Sequence, residues 1–126
     1  MSVKLKTAQI KAVREQMLKN QGGKCALTGL PLSPEKAVLD HCHKTGHVRG
    51  VIHRGVNSLL GKLENNMARY GVSHTELYAM GRGLDAYLRA NYFNNPLHPT
   101  HKSEDEKRIR RNTLARKRRV EKKEAL

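Results

Sequence analysis

Between Ala37 and Met67 the chain changes its apolar pattern once, and that change restricts the fold more than any other feature. Ala37-Val38-Leu39 opens a strand, and Val48 to Ile52 reads as a second one. Lys44-Thr45-Gly46 between them makes a turn, with Gly46 free to take positive φ. From Asn57 to Met67 the spacing becomes helical, with Leu59, Leu60, Leu63 and Met67 on one stripe. Strand, turn, strand and helix thus follow one another, and the strands are too close in sequence for anything but a hairpin.

The flanks read as helices. Leu5, Ala8, Val13 and Met17, with Ile10 nearby, predict a helix over residues 5–19 ended by Gly22-Gly23. Residues 24–34, rich in chain breakers, predict a tight knuckle. Ser73 with Glu76 three positions later has the form of a capping box. The helix it opens is expected to bury Leu77, Met80, Leu84 and Leu88, although Gly81 and Gly83 weaken it. Asn94-Asn95-Pro96 through Pro99 marks a boundary, after which Ser103 and Glu106 can cap one more helix. That segment holds only Ile109, Leu114, Val120 and Leu126 as larger apolar residues, which suggests a tail that orders on nucleic acid. The expected fold class is α+β and mostly helical. Its organisation is a body over residues 1–100, with the hairpin–helix unit at about 36–68, and a basic tail or helix over 101–126.

Charge narrows the partner. Twenty-five Lys and Arg against eleven Asp and Glu leave +14, of which residues 1–100 carry +8 and residues 101–126 carry +6. The excess is spread along the chain, and an acidic polymer is its simplest counterpart, since each phosphate neutralised releases counterions. Two cysteines, Cys25 and Cys42, make no disulfide framework, and no apolar run approaches the ~20 residues that span a bilayer. No membrane partner and a reducing cytoplasm are expected.

Residues 40–57 read Asp-His-Cys-His-Lys-Thr-Gly-His-Val-Arg-Gly-Val-Ile-His-Arg-Gly-Val-Asn. Phosphodiester hydrolysis needs a base for water, a cation for the departing oxygen and a grip on the phosphate. A carboxylate is a hard ligand suited to Mg²⁺. Neutral imidazole, with an unperturbed pKa of about 6.5, accepts a proton at neutral pH. An Asn carbonyl at a helix start adds an oxygen ligand without charge. Asp40, His41 and Asn57 offer this set if the hairpin returns Asn57 to Asp40. Singly each has a plainer reading: a strand histidine is more often structural, and an Asn at a helix start is more often a cap. Together, with four histidines in thirteen residues of a basic chain, they point to a nuclease.

The run Leu39 to Ile52, continuing to Asn57 and Leu60-Gly61, resembles the recombination endonuclease VII family of phage HNH (ββα-metal) enzymes. Its pattern is D-H-x-H, a T-G turn and V-R-G, and Gln21 to Gly29 resembles the knuckle that precedes the hairpin. The resemblance implies Asp40 and Asn57 as ligands of Mg²⁺ or Mn²⁺, His41 as general base, and His43 as a second catalytic residue at the phosphate. It also implies duplex or branched DNA as substrate, a homodimer, and the cytoplasm of a phage-infected or lysogenic bacterium. Arg49 and Arg54, with Lys107, Arg108, Arg110, Arg111, Arg116, Lys117, Arg118 and Arg119 of the tail, are expected to bind DNA phosphates.

One departure matters. The family carries two C-x-x-C pairs for a structural zinc, and here they read Cys25/Thr28 and His53/Val56. Thr and Val are not ligands that a tetrahedral zinc site accepts, so no structural zinc is expected there. Leu27, Leu30, Leu32, Val51, Ile52 and Val56 are expected to pack in its place, and Cys42 with His43, His47 or His53 is the alternative site. A geometric tension also stands: residues alternate across a strand, so Asp40 and His41 serve one phosphate only if the strand ends or bulges there. The rival functions are a nucleic-acid-binding module that kept the fold without the chemistry, and a zinc-binding regulator using Cys25, Cys42 and nearby histidines.

Overall fold

The computed structural model describes residues 3–126. Its elements run α1 (Ile10–Asn20), β1 (Ala37–His41), β2 (Val48–His53), α2 (Arg54–Asn66), α3 (His74–Arg89) and α4 (Glu104–Glu124). The α+β expectation holds: among the described residues β1 and β2 form one antiparallel sheet, and the other elements are helical.

The first helix begins later than its apolar spacing suggests. Thr7–Gln9 is a 3-10 turn closed by Gln9, whose Oε1 accepts from the Lys6 N–H at 2.8 Å, and the α-helix starts at Ile10. It stops where expected. The N–H groups of Gln21 and Gly23 donate to Met17 and Leu18 at 2.9 and 3.0 Å, and Gly22 and Gly23 take φ of 70° and 72°. Two successive residues in that region are cheap only for glycine.

The knuckle forms from backbone hydrogen bonds. Cys25 N–H donates to Leu30 O at 2.9 Å, Gly29 N–H to Cys25 O at 2.9 Å, and Leu32 N–H to Gly23 O at 2.9 Å. The Gln21 amide ties this loop to the sheet: its Nε2 donates to Lys24 O and Val51 O at 2.8 and 2.9 Å, and its Oε1 accepts from Val51 N–H at 2.9 Å. A side chain thus supplies the pairing that a third strand would offer to β2. Gly50 is glycine for a packing reason, because a Cβ there would stand 3.0 Å from Ala26 Cβ of the knuckle.

The core is small: Leu18, Cys25, Leu32, Ala37, Val51 and Ile52, with Met17, Val38, Leu39 and Leu60 packed against it. Of the six residues expected to replace zinc, Leu32, Val51 and Ile52 are buried and Val56 is half-buried, but Leu27 and Leu30 are exposed. Leu27 lies in the tight turn at the knuckle tip, where no other element covers it.

The chain divides within α3 into two compact units, residues 1–81 and 82–126. Ser73 and Glu76 form the expected capping box: Glu76 N–H donates to Ser73 Oγ at 3.2 Å, and Ser73 N–H donates to Glu76 Oε1 at 3.1 Å. The stripe beyond it departs from expectation. Leu77 is half-buried, whereas Met80, Leu84 and Leu88 are 47, 47 and 60% exposed. Periodicity identifies the apolar side of a helix, not whether something lies on it. In the second unit α4 is a continuous helix capped by Ser103, whose Oγ accepts from Glu106 N–H at 3.2 Å, and it buries no residue. No described helix is long and apolar enough to cross a membrane.

Candidate active site

The β1–β2 ladder pairs Ala37 with His53, Val38 with Ile52, Leu39 with Val51 and Asp40 with Gly50. The next pair is His41 with Val48, so the register shifts between Asp40 and His41 and Arg49 is the extra residue on β2. A bulge breaks the alternation of side chains and re-aims those beside it. Here the extra residue stands on β2, so it is Arg49 that the bulge re-aims, while β1 ends at His41, which meets the condition under which Asp40 and His41 can serve one phosphate. Asp40 is buried at 6% exposure, and His41, the next residue, is exposed.

The bulge also explains the contacts of Asp40. Arg49 Nε donates to Asp40 Oδ2 at 2.8 Å and Nη2 donates to Oδ1 at 3.1 Å. The other edge of the same guanidinium binds Glu64, with Nη1 to Oε2 at 3.0 Å and Nη2 to Oε1 at 2.9 Å. Four of the five N–H donors of a guanidinium are therefore engaged by two carboxylates. The pairing with Glu64 and Asp40 holds Arg49 firmly charged, above its ordinary range. Glu64 is held below the usual carboxylate range, first by its hydrogen bonds from Arg49, against burial, and further by the charge of the same guanidinium.

The histidines lie at the rim. The rings of His41 and His43 are 4.9 Å apart between centroids and tilted by 48°, and both residues are exposed. The turn that carries His43 is held by Cys42 N–H to His47 O at 2.8 Å and Gly46 N–H to Cys42 O at 2.7 Å, with Gly46 at φ 77°. Asn57 is half-buried in the first turn and a half of α2, a helix that packs on both strands. It is not the helix cap. The helix starts three residues before Asn57 because His53 caps it, Nδ1 accepting from Gly55 N–H at 3.0 Å. The plainer reading of Asn57 therefore fails, and His53 does local structural work where the family has a cysteine.

At the knuckle itself, the first residue of the pair Cys25/Thr28 is buried. Cys25 is 3% exposed, and its Sγ accepts from Thr28 N–H at 3.5 Å. Burial pushes this thiol up, but hydrogen bonds from Thr28 and from the backbone of His53 and Leu27 outweigh it and bring it down to about 7. Among the described residues no group of three or more His, Cys, Asp and Glu side chains is arranged to hold a metal, which includes the grouping of Cys42 with the nearby histidines.

The expected phosphate binders divide. Arg49 is engaged by its two carboxylates, and Arg54 Nη2 donates to Glu35 O at 3.1 Å. Lys107 and Arg108 pair with Glu104 and Asp105 within α4 at 3.1 and 3.0 Å. Arg110, Arg111, Arg116, Lys117, Arg118 and Arg119 are exposed along the same helix. Glu64 escaped the sequence reading. Its only signal is its place seven residues after Asn57, two helical turns along one face of α2.

The structure thus places a buried Asp40 and two neighbouring exposed histidines, His41 and His43, on one hairpin of a strongly basic chain. No curated protein matches the chain significantly. The family model of recombination endonuclease VII matches residues 2–84, spanning the knuckle, the hairpin, α2 and the start of α3. The chain therefore belongs to the recombination endonuclease VII family, whose members are nucleases acting on DNA.

Proposed function

We propose that this chain is an HNH-type endonuclease that hydrolyses DNA phosphodiesters with Mg²⁺ or Mn²⁺. The observation that carries the reading is the place of Asp40 and His41 at the end of β1, a buried carboxylate followed by an exposed imidazole whose ring lies 4.9 Å from that of His43. Asp40 is a buried carboxylate already holding a cation, the Arg49 guanidinium, so its surroundings suit positive charge, and half-buried Asn57, on a helix packed on both strands, is the neutral oxygen assigned to the same ion. These two residues would hold the divalent ion. Once bound, such an ion stabilises charge on the departing oxygen.

The rest is done by the protein's own groups. His41, exposed at the rim, takes a proton from the water that attacks phosphorus in line, and the P–O bond opposite breaks. His43, 4.9 Å away between ring centroids, positions the phosphate from the same side. The basic residues of α4 raise affinity for DNA without reading its sequence. Duplex or branched DNA as substrate, and a homodimer as the working form, extend the same reading from the family.

One observation favours a second reading. Both oxygens of Asp40 are occupied by Arg49, as in a module that kept the fold and only binds nucleic acid. Nicking of a supercoiled plasmid with Mg²⁺, with chelator and with His41→Ala separates the two. Cleavage that needs the ion and His41 supports the nuclease. DNA binding without any cleavage supports the module.

A further inference from the structure

The Asp40–Arg49–Glu64 bridge holds more than a static ion pair would need. Arg49 is the bulge residue of β2, so its place beside Asp40 depends on an irregularity and not on regular strand geometry. The two edges of its guanidinium serve different acids: Nε and Nη2 take Asp40, while Nη1 and Nη2 take Glu64. The two acids also differ in setting, since the Asp40 side chain is 7% exposed and the Glu64 side chain 31%, with Arg49 between them at 35%. A planar Nε/Nη2 fork matches a phosphate as well as it matches a carboxylate. A divalent ion on Asp40 and a guanidinium on the same two oxygens are two cations competing for one anion.

We infer that Arg49 is a positioning residue that exchanges its Nε/Nη2 edge between Asp40 and a DNA phosphate, with Glu64 as the pivot that keeps it at the site. The inference rests on the reading of Asp40 as a metal ligand given above. Without DNA, Arg49 occupies the Asp40 oxygens and the divalent ion binds weakly. When a phosphodiester reaches the rim near His41 and His43, the fork turns to it, Glu64 retains the other edge, and Asp40 is released to the ion. Ion loading and DNA binding then assist each other, and such coupling is reciprocal.

The test measures Mn²⁺ affinity of the full chain by calorimetry, with and without a short DNA duplex, in the His41→Ala background so that nothing is cleaved. Arg49→Gln is expected to bind Mn²⁺ about tenfold more tightly than its parent without DNA, and to lose the gain in affinity that DNA gives the parent. Arg49→Lys keeps the charge without the fork and is expected to fall between them. A merely structural Arg49 would not produce tighter binding on removal. Mn²⁺ affinity in Arg49→Gln equal to or below that of the parent, at an unchanged melting temperature, overturns the inference. If Arg49→Gln fails to fold, Arg49→Lys decides: parental affinity with parental response to DNA overturns it, and raised affinity with a reduced response supports it. Asp40→Asn separates the layers. If that variant loses Mn²⁺ while the Arg49 variants bind like the parent, only this inference falls. If no protein binds Mn²⁺, the metal reading of Asp40 falls with it.

Discussion

Removing residues 104–126 deletes α4 whole and tests whether the charge of this chain is a DNA-binding device. The truncation removes ten Lys and Arg and five Asp and Glu, so the net charge falls from +14 to +9. Helix α4 has 21 residues, about 31 Å at 1.5 Å per residue. Lys107, Arg111, Arg118 and Lys122 recur at spacings of four and seven and share one narrow face. If those four reach phosphates, they contribute about 0.9 each to the slope of log K against log salt, or roughly 3.6 in all. Between 50 and 200 mM salt the intact chain should then lose about two decades of affinity more than the truncated one. A fluorescence-anisotropy titration of a labelled duplex across that range reads both slopes. Stability should barely change, because α4 buries nothing and its ion pairs are exposed ones such as Lys107–Glu104, worth little in water. A truncated protein with the parental salt slope and a clearly lower melting temperature would refute the reasoning. The helix would then be a packed structural element, and the basic residues of 1–100 would have to account for affinity alone.

His41→Ala should lower the cleavage rate by roughly 10²–10⁴ while leaving DNA affinity nearly intact, since a general base contributes to the barrier and little to ground-state binding; full activity would remove His41 from the mechanism. Cys25 should titrate near 7 when followed by thiolate absorbance, against an ordinary value of 9.0. An acid depressed in the folded state adds stability above its unfolded pKa and loses it as pH falls through the folded one, so the melting temperature should rise between about pH 7 and 9. Cys25→Ser should flatten that rise and cost about 1–2 kcal/mol; one zinc per wild-type chain with an unfolded variant would show that the knuckle still depends on metal. Gly50→Ala should destabilise by about 1–3 kcal/mol, because its Cβ would meet Ala26 Cβ at 3.0 Å, and an unchanged denaturation midpoint would show that the knuckle yields freely.

Much of the hairpin–helix unit was legible in the sequence. The strands appear at Ala37–His41 and Val48–His53 against expectations of 37–39 and 48–52, because β-rich runs bounded by a glycine turn have few alternatives. The capping box at Ser73/Glu76 and the cap at Ser103 formed as written, since each is closed within four residues. What failed had two sources, a local cap that residue type did not announce and the presence or absence of packing partners far along the chain. Asn57 looked like a helix start until His53 proved to be the cap. Met80, Leu84 and Leu88 have core spacing and lie exposed. Leu27 and Leu30 were expected to pack at the knuckle in place of a zinc, but they lie exposed.

By itself the sequence determined the order of elements, the basic character of the chain and the short run that holds Asp40, His41, His43 and Asn57, because these depend on residue type and spacing of a few positions. Only the tertiary structure decided how that run becomes a site. Which residue forms the bulge is set by the pairing of two strands against the knuckle, so nothing local to Arg49 announces that it will face Asp40. Glu64 joins through the same guanidinium from fifteen residues further on, placed by the packing of α2 on the hairpin. Charge and pattern are summed along the chain. Which cation meets which carboxylate is settled only when the elements pack, since ion pairing falls off with distance in space and not in sequence.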